Sequence, residues 1–219
     1  MNISRTKKLT TTGMFCALAY AATLIGRIPV VLFLKYDSKD IVIVIAGFLF
    51  GPLTSFAVTV IVSVAQMFTT SGTGILGSLM NVVSSCSFAC TAAFFYKKRR
   101  RLSGAVGGLF AGVVCQIAVM MLWNYLVAPI YMGSTREEIA KLLLPAFLPF
   151  NVIKGGLNAA GTLLLYKPVV TALRHSNLVP VSDVQKTGEK MRIHAGVVLT
   201  ALFLLATCVL LILSLHGVI

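Results

Sequence analysis

Residues 41–68 read IVIVIAGFLFGPLTSFAVTVIVSVAQMF and carry no charged side chain. About 20 apolar residues cross a bilayer as a helix, so this stretch is either one tilted span or two shorter ones. Gly51-Pro52 lies in its middle. Proline cannot donate a backbone hydrogen bond, and the residue before it avoids helical geometry. Charge decides between the two readings. With a hairpin at Gly51-Pro52, one face of the membrane collects Arg5, Lys7, Lys8, the five basic residues 97–101, Lys167, Arg174, Lys186, Lys190 and Arg192, thirteen of the 19 Lys and Arg. Cytoplasmic loops carry such an excess, so two segments are expected. The first, residues 41–50, rises only ~15 Å as a helix and cannot span a ~30 Å core alone. Two roles stay open for it: part of a lid over a binding site, or an ordinary tight helical hairpin held inside protein.

The same reading extends over the whole chain of 219 residues, which is 58% hydrophobic and 11% charged, against about 25% charged in soluble domains. Apolar runs occur at 9–28, 75–96, 104–130, 142–166 and 193–215. The expected fold is an all-α integral membrane protein with a six-helix transmembrane bundle. An additional C-terminal transmembrane helix follows. The expected organisation is a membrane domain over 1–174, a cytoplasmic linker over 175–192 and the extra helix over 193–219. The N-terminus is then cytoplasmic and the C-terminus outside. The first helix is expected to stay uncleaved, because apolar sequence continues past a signal-peptide core. The formal charge of +13 does not indicate nucleic acid, since the basic residues form short clusters between apolar runs. The five cysteines have no metal-site spacing, and an odd number argues against a disulfide framework.

The motif PFNVIKGG at 149–156 places an amide and an amine one helical turn apart at membrane depth. Asn151, Lys154 and Asn158 share a helix face, which must meet protein or water rather than lipid. Such a stripe suits a planar ligand edge that alternates carbonyl and N–H groups, or it bonds neighbouring helices together. The expectation is that Lys154 is tolerated because a bound planar molecule, not a neighbouring helix, meets its ammonium. Asn124 stands between aromatics in WNYLVAPIY at 123–131. The run TTSGTGILGSLMN at 69–81 leads a hydroxyl-rich loop into a helix start with Gly74, Gly77 and Asn81 on one side. It serves either a docked polyol or helix packing. Gly13, Ala17 and Ala21 form a small-residue stripe that packs internally or against a partner.

No catalytic apparatus is legible. The six acids, Asp37, Asp40, Glu137, Glu138, Asp183 and Glu189, fall outside the apolar runs, and no ATP-binding motif or metal constellation is present. The expectation that no carboxylate is buried argues against an ion-coupled autonomous transporter. Energy for uphill movement then comes from another polypeptide.

Between residues 7 and 166 the chain resembles the substrate-binding S-components of energy-coupling factor (ECF) vitamin transporters, most of all the riboflavin-specific type. The resemblance rests on LKYDSKDI at 34–41, AGFLFGPL at 46–53, TGILGSLMN at 73–81, Asn124-Tyr125 and PFNVIKG at 149–155. It implies a six-helix bundle in a prokaryotic cell membrane, with a site opening outward under the loop after helix one. It also implies a membrane partner, the T-component, and two cytoplasmic ATPases, with the loaded subunit toppling to release its ligand inside. By resemblance, Asn124, Asn151 and Lys154 hold the polar edge of the flavin, while Thr73, Gly74, Asn81 and Asp40 are further ligand contacts. Gly13, Ala17 and Ala21 would face the T-component. Riboflavin is cargo, and no resident cofactor or metal is implied. An S-component for a different vitamin or precursor is the alternative, ahead of an autonomous transporter. The loop reads Asp37-Ser38-Lys39-Asp40 where the family suggests a more hydrophobic or acidic stretch, and residues 167–219 lie beyond the family's six helices.

Overall fold

The computed structural model describes residues 5–26, 28–31, 34–69, 74–175 and 195–215. Its helices are α1 Arg5–Ile25, α2 Lys39–Phe50, α3 Pro52–Thr69, α4 Gly74–Lys98, α5 Leu102–Met132, α6 Arg136–Leu142, α7 Leu148–His175 and α8 Ala195–Leu215. Helix one stops at Ile25, short of the expected Ile28. β1 Ile28–Val31 and β2 Leu34–Tyr36 pair as an antiparallel ribbon. α7 runs on to His175, past the expected end at Tyr166. The linker and its boundaries lie almost entirely outside the described residues.

Residues 41–68 form two helices. Gly51 takes φ +96° and donates its N–H to Gly47 O at 2.7 Å, a backbone geometry that glycine adopts without a Cβ penalty. Pro52 opens α3, where its missing N–H costs nothing. The pair is antiparallel: Ser55 meets Gly47 near the turn, while Lys39 reaches Gln66 at the far end, Nζ to Oε1 2.6 Å. α2 is short and buried on nearly every side, from Lys39 through Phe48. It is therefore a core helix, not a lid. Its polar backbone is satisfied inside the bundle, which is what makes a helix too short to span tolerable at this depth.

The remaining helices enclose it. α4 and α5 approach closely where a Cβ on Gly108 or Gly112 would stand 2.7 Å from the carbonyls of Ala92 and Phe88. One apolar cluster joins Phe15, Val44, Phe48, Phe88 and Leu109, and ends in Tyr96 and Tyr166, whose hydroxyls lie 2.6 Å apart. A second joins Val30, Leu34 and Tyr36 of the ribbon to Phe147, Phe150, Ile153 and Leu157, with Cys208 of α8. Between α6 and α7 the chain makes a π-turn at Leu143–Phe147. Among the described residues five helical stretches are long and apolar enough to cross a membrane: α1, α3, α4, α5 and the continuous run from α6 through α7; the apolar part of α8, Val198–Leu213, is shorter. Leu53, Phe68, Phe110 and Leu122 lie exposed on their outer faces.

α8 packs on α7. A Cβ placed on Gly156 would stand 2.9 Å from Cys208 Sγ, close to the separation that an S–S bond of ~2.05 Å sets between a Cβ and the partner sulfur. Gly156→Cys is therefore expected to cross-link to Cys208 on mild oxidation, read as a disulfide-linked peptide by mass spectrometry and lost in Gly156→Cys/Cys208→Ala. Absence of that peptide would place α8 elsewhere.

Candidate ligand site

Asn151, Lys154 and Asn158 lie along one buried face of α7, as their spacing requires. That face meets Ser84 of α4, Asp40 of α2 and Tyr36 of β2. Lys154 Nζ donates to Ser84 Oγ at 2.9 Å and lies 3.4 Å from Asp40 Oδ2. Asp40 is fully buried. It also accepts from Ser85 Oγ at 2.5 Å and from Asn158 Nδ2 at 3.2 Å, and Asn158 Oδ1 accepts from Tyr36 OH at 3.0 Å.

Two expectations fail here. Lys154 is met by protein, and a carboxylate is buried. The reason is that Asp40 begins a helix instead of ending a loop, which carries it into the bundle. A buried ion is tolerated when paired and hydrogen-bonded, and this pair has both. The argument against ion coupling from missing carboxylates lapses with it. An ammonium has three donors; Ser84 and Asp40 engage two.

Two buried amides have unpaired ends among the described residues: Asn151, one helical turn from Lys154 on α7, and Asn124 on α5. Asn124 is 1% exposed, and its Oδ1 has no hydrogen-bond partner among the described residues. Asn151 is equally buried; its Nδ2 donates to Phe147 O at 2.8 Å in the π-turn, leaving Oδ1 unpaired. Trp123 Nε1, next to Asn124, is likewise unpaired. A buried polar atom left unbonded costs about 1–3 kcal/mol, so each of these atoms is an open place for a polar partner.

A second polar group fastens the ribbon and the start of α2 to α1 and α3. Lys39 Nζ lies 3.1 Å from Asp37 Oδ2, and Gln66 Nε2 donates to Asp37 Oδ2 at 3.0 Å and to Thr23 Oγ1 at 2.7 Å. Burial opposes ionisation of Asp37. Lys39, its backbone N–H and Gln66 outweigh that and hold the carboxyl below its ordinary value. Ser38 Oγ donates to Ala22 O at 3.0 Å.

The other sequence candidates are less central. Asn81 is half-buried on α4, one turn from Ser84 and Ser85. Gly74 is exposed at the start of α4 with φ +60°. Thr73 lies outside the described residues. Gly13, Ala17 and Ala21 are all exposed, opposite the buried Thr11, Phe15, Ala19 and Thr23 of α1, so internal packing of that stripe is excluded. Sequence reasoning missed Ser84, Ser85 and Tyr36; a serine pair inside an apolar run was the available signal. Among the described residues no cluster of His, Cys, Asp and Glu could hold a metal ion.

The family model for the ECF transporter substrate-specific component matches residues 7–166. The chain belongs to that family. As an S-component it is all-α apart from the ribbon and passes the membrane several times, and its family is one of transporter components, not enzymes. It is 26% identical over 183 residues to the riboflavin transporter RibU of Staphylococcus aureus (strain TCH60), covering 80% of this chain and 96% of that one. It is 28% identical over 164 residues to the riboflavin transporter FmnP of Bacillus subtilis (strain 168), covering 69% and 85%. A chain solved in a study of the structure and mechanism of the S component of a bacterial ECF transporter superposes with a TM-score of 0.69 at 26% identity, covering 78% of this chain and 99% of that one. α8 lies beyond the matched family segment.

The ion pair yields a direct test. Removing one member of a buried pair typically costs 3–5 kcal/mol, roughly, because the other charge is stranded. Asp40→Asn and Lys154→Met are each expected to lower the melting temperature of the detergent-solubilised S-component, and the double variant to recover most of the loss. Single variants that melt like the parent would contradict the pairing.

Proposed function

We propose that this S-component binds riboflavin from outside the cell and delivers it inward, with ATP hydrolysed by partner subunits. The observations that carry the reading are the unpaired amide oxygens of the buried Asn124 on α5 and Asn151 on α7, the latter one helical turn from Lys154. The isoalloxazine ring has an apolar dimethylbenzene end and an edge of alternating carbonyl and N–H groups. Amide oxygens accept from the N–H, and the remaining donor of Lys154 serves a carbonyl. A mostly apolar pocket with a few placed polar groups is the usual small-molecule solution. The Lys154–Asp40 pair is close to neutral overall, which fits an uncharged ring. The names of the two curated relatives support the same ligand.

The reading includes orientation and partners. The basic excess favours a cytoplasmic N-terminus. The exposed stripe of Gly13, Ala17 and Ala21 on α1 offers a flat surface for close helix contact, and we assign it to the T-component. Asn81, Gly74 and Thr73 are assigned to the ribityl chain. Asp40 acts by fixing Lys154.

Purified protein is expected to carry a yellow ligand with the absorbance and mass of a flavin. Asn124→Ala and Asn151→Ala should each weaken riboflavin binding about tenfold by fluorescence quenching, the size of one lost hydrogen bond, with melting temperature retained. A colourless protein that does not quench riboflavin would refute the ligand. Ala17→Trp should abolish uptake in cells while leaving binding by the purified subunit intact; equal loss of both would remove α1 from the partner surface.

A further inference from the structure

Gln116 is a fully buried amide on α5 that the account above leaves unused. Its Nε2 lies 3.5 Å from Ser84 Oγ, the same hydroxyl that accepts from Lys154 at 2.9 Å. Its Oε1 has no hydrogen-bond partner among the described residues. Reversing the amide gives the same result: one end faces Ser84 and the other is unpaired, since O and N are assigned from the surrounding bonds. Gln116, Met120 and Asn124 follow at i, i+4 and i+8 and are all buried. One face of α5 thus displays two amides about 12 Å apart along the axis, each with an open end.

A role in packing does not account for this. A methionine of similar size would fill the space without stranding a buried polar atom. Bonding α4 to α5 does not account for it either. The contact with Ser84 is at the outer limit of a hydrogen bond, and these helices are already drawn together at Gly108 and Gly112. Ser84 receives hydrogens from two sides, and its own O–H stays available as a donor. Gln116 and Ser84 therefore form a polar floor under Lys154.

Building on the flavin reading, we propose that Gln116 is a further ligand-site residue. One end of its amide meets a hydrogen-bonding group of the ligand, and the other steadies Ser84 and, through it, the direction of the Lys154 ammonium.

The test is Gln116→Met in the full-length protein, with riboflavin as the probe. Melting temperature without ligand is expected to hold or rise, because an unpaired buried atom is removed. Riboflavin affinity should fall about tenfold, and the riboflavin-induced rise in melting temperature should shrink. Unchanged affinity would overturn the proposal. So would a drop in ligand-free melting temperature that accompanies the affinity loss, since that is the mark of a packing residue. In the charge-neutral background Asp40→Asn/Lys154→Met, the same substitution should cost clearly less affinity than in the parent. An equal cost would remove the link through Ser84. Parent protein that fails to bind riboflavin would refute the functional reading itself, whereas parent that binds and a variant that binds equally refute only the role of Gln116.

Discussion

An ammonium and a carboxylate taken out of water together hold the centre of this molecule. Either ion alone at membrane depth would cost several kcal/mol. Lys154 and Asp40 offset that cost for each other, and Ser84, Ser85 and Asn158 supply further hydrogen bonds. The pair links α2, α4 and α7 at one point. Tyr36 extends the link to the ribbon through Asn158. Open polar ends remain on Asn124, Asn151 and Gln116 among the described residues.

That arrangement depends on the break at Gly51. A single long helix over residues 41–68 would carry Lys39 and Asp40 away from Gln66 and to the far side of the bundle from α7. The reversal folds the short α2 back along α3 and buries its first turn. Lys39 is then answered by Asp37 and Gln66, and Asp40 by Lys154. Two acids and two bases enter the interior within four sequence positions plus one distant lysine, with no net charge. The ribbon is anchored from beneath by these same contacts and from the side by Phe150, Ile153 and Leu157.

The match to the family model ends at residue 166, yet α7 continues and α8 follows. α8 rests on the helix that supplies Asn151 and Lys154, with Cys208 opposite Gly156. Its side chains join the apolar cluster that seats the ribbon. This helix is therefore in contact with both α7 and the ribbon, while the small-residue face of α1 stays open.

Much of this was legible before any coordinates. Hydropathy defined the spans, Gly51-Pro52 with the basic clusters defined the hairpin, and the i, i+3, i+7 spacing put Asn151, Lys154 and Asn158 on one face. These are local properties, readable from periodicity, backbone chemistry and charge counts along one segment. What surrounds Lys154 was not legible. Asp40 lies more than a hundred positions away in a stretch that reads as a polar loop, and only folding shows that it opens a buried helix aimed at α7. The outward direction of the Gly13, Ala17 and Ala21 stripe, the open ends of the three buried amides and the seat of α8 are of the same kind. Each is a relation between distant segments, set by how helices pack, and no pattern within one segment encodes it.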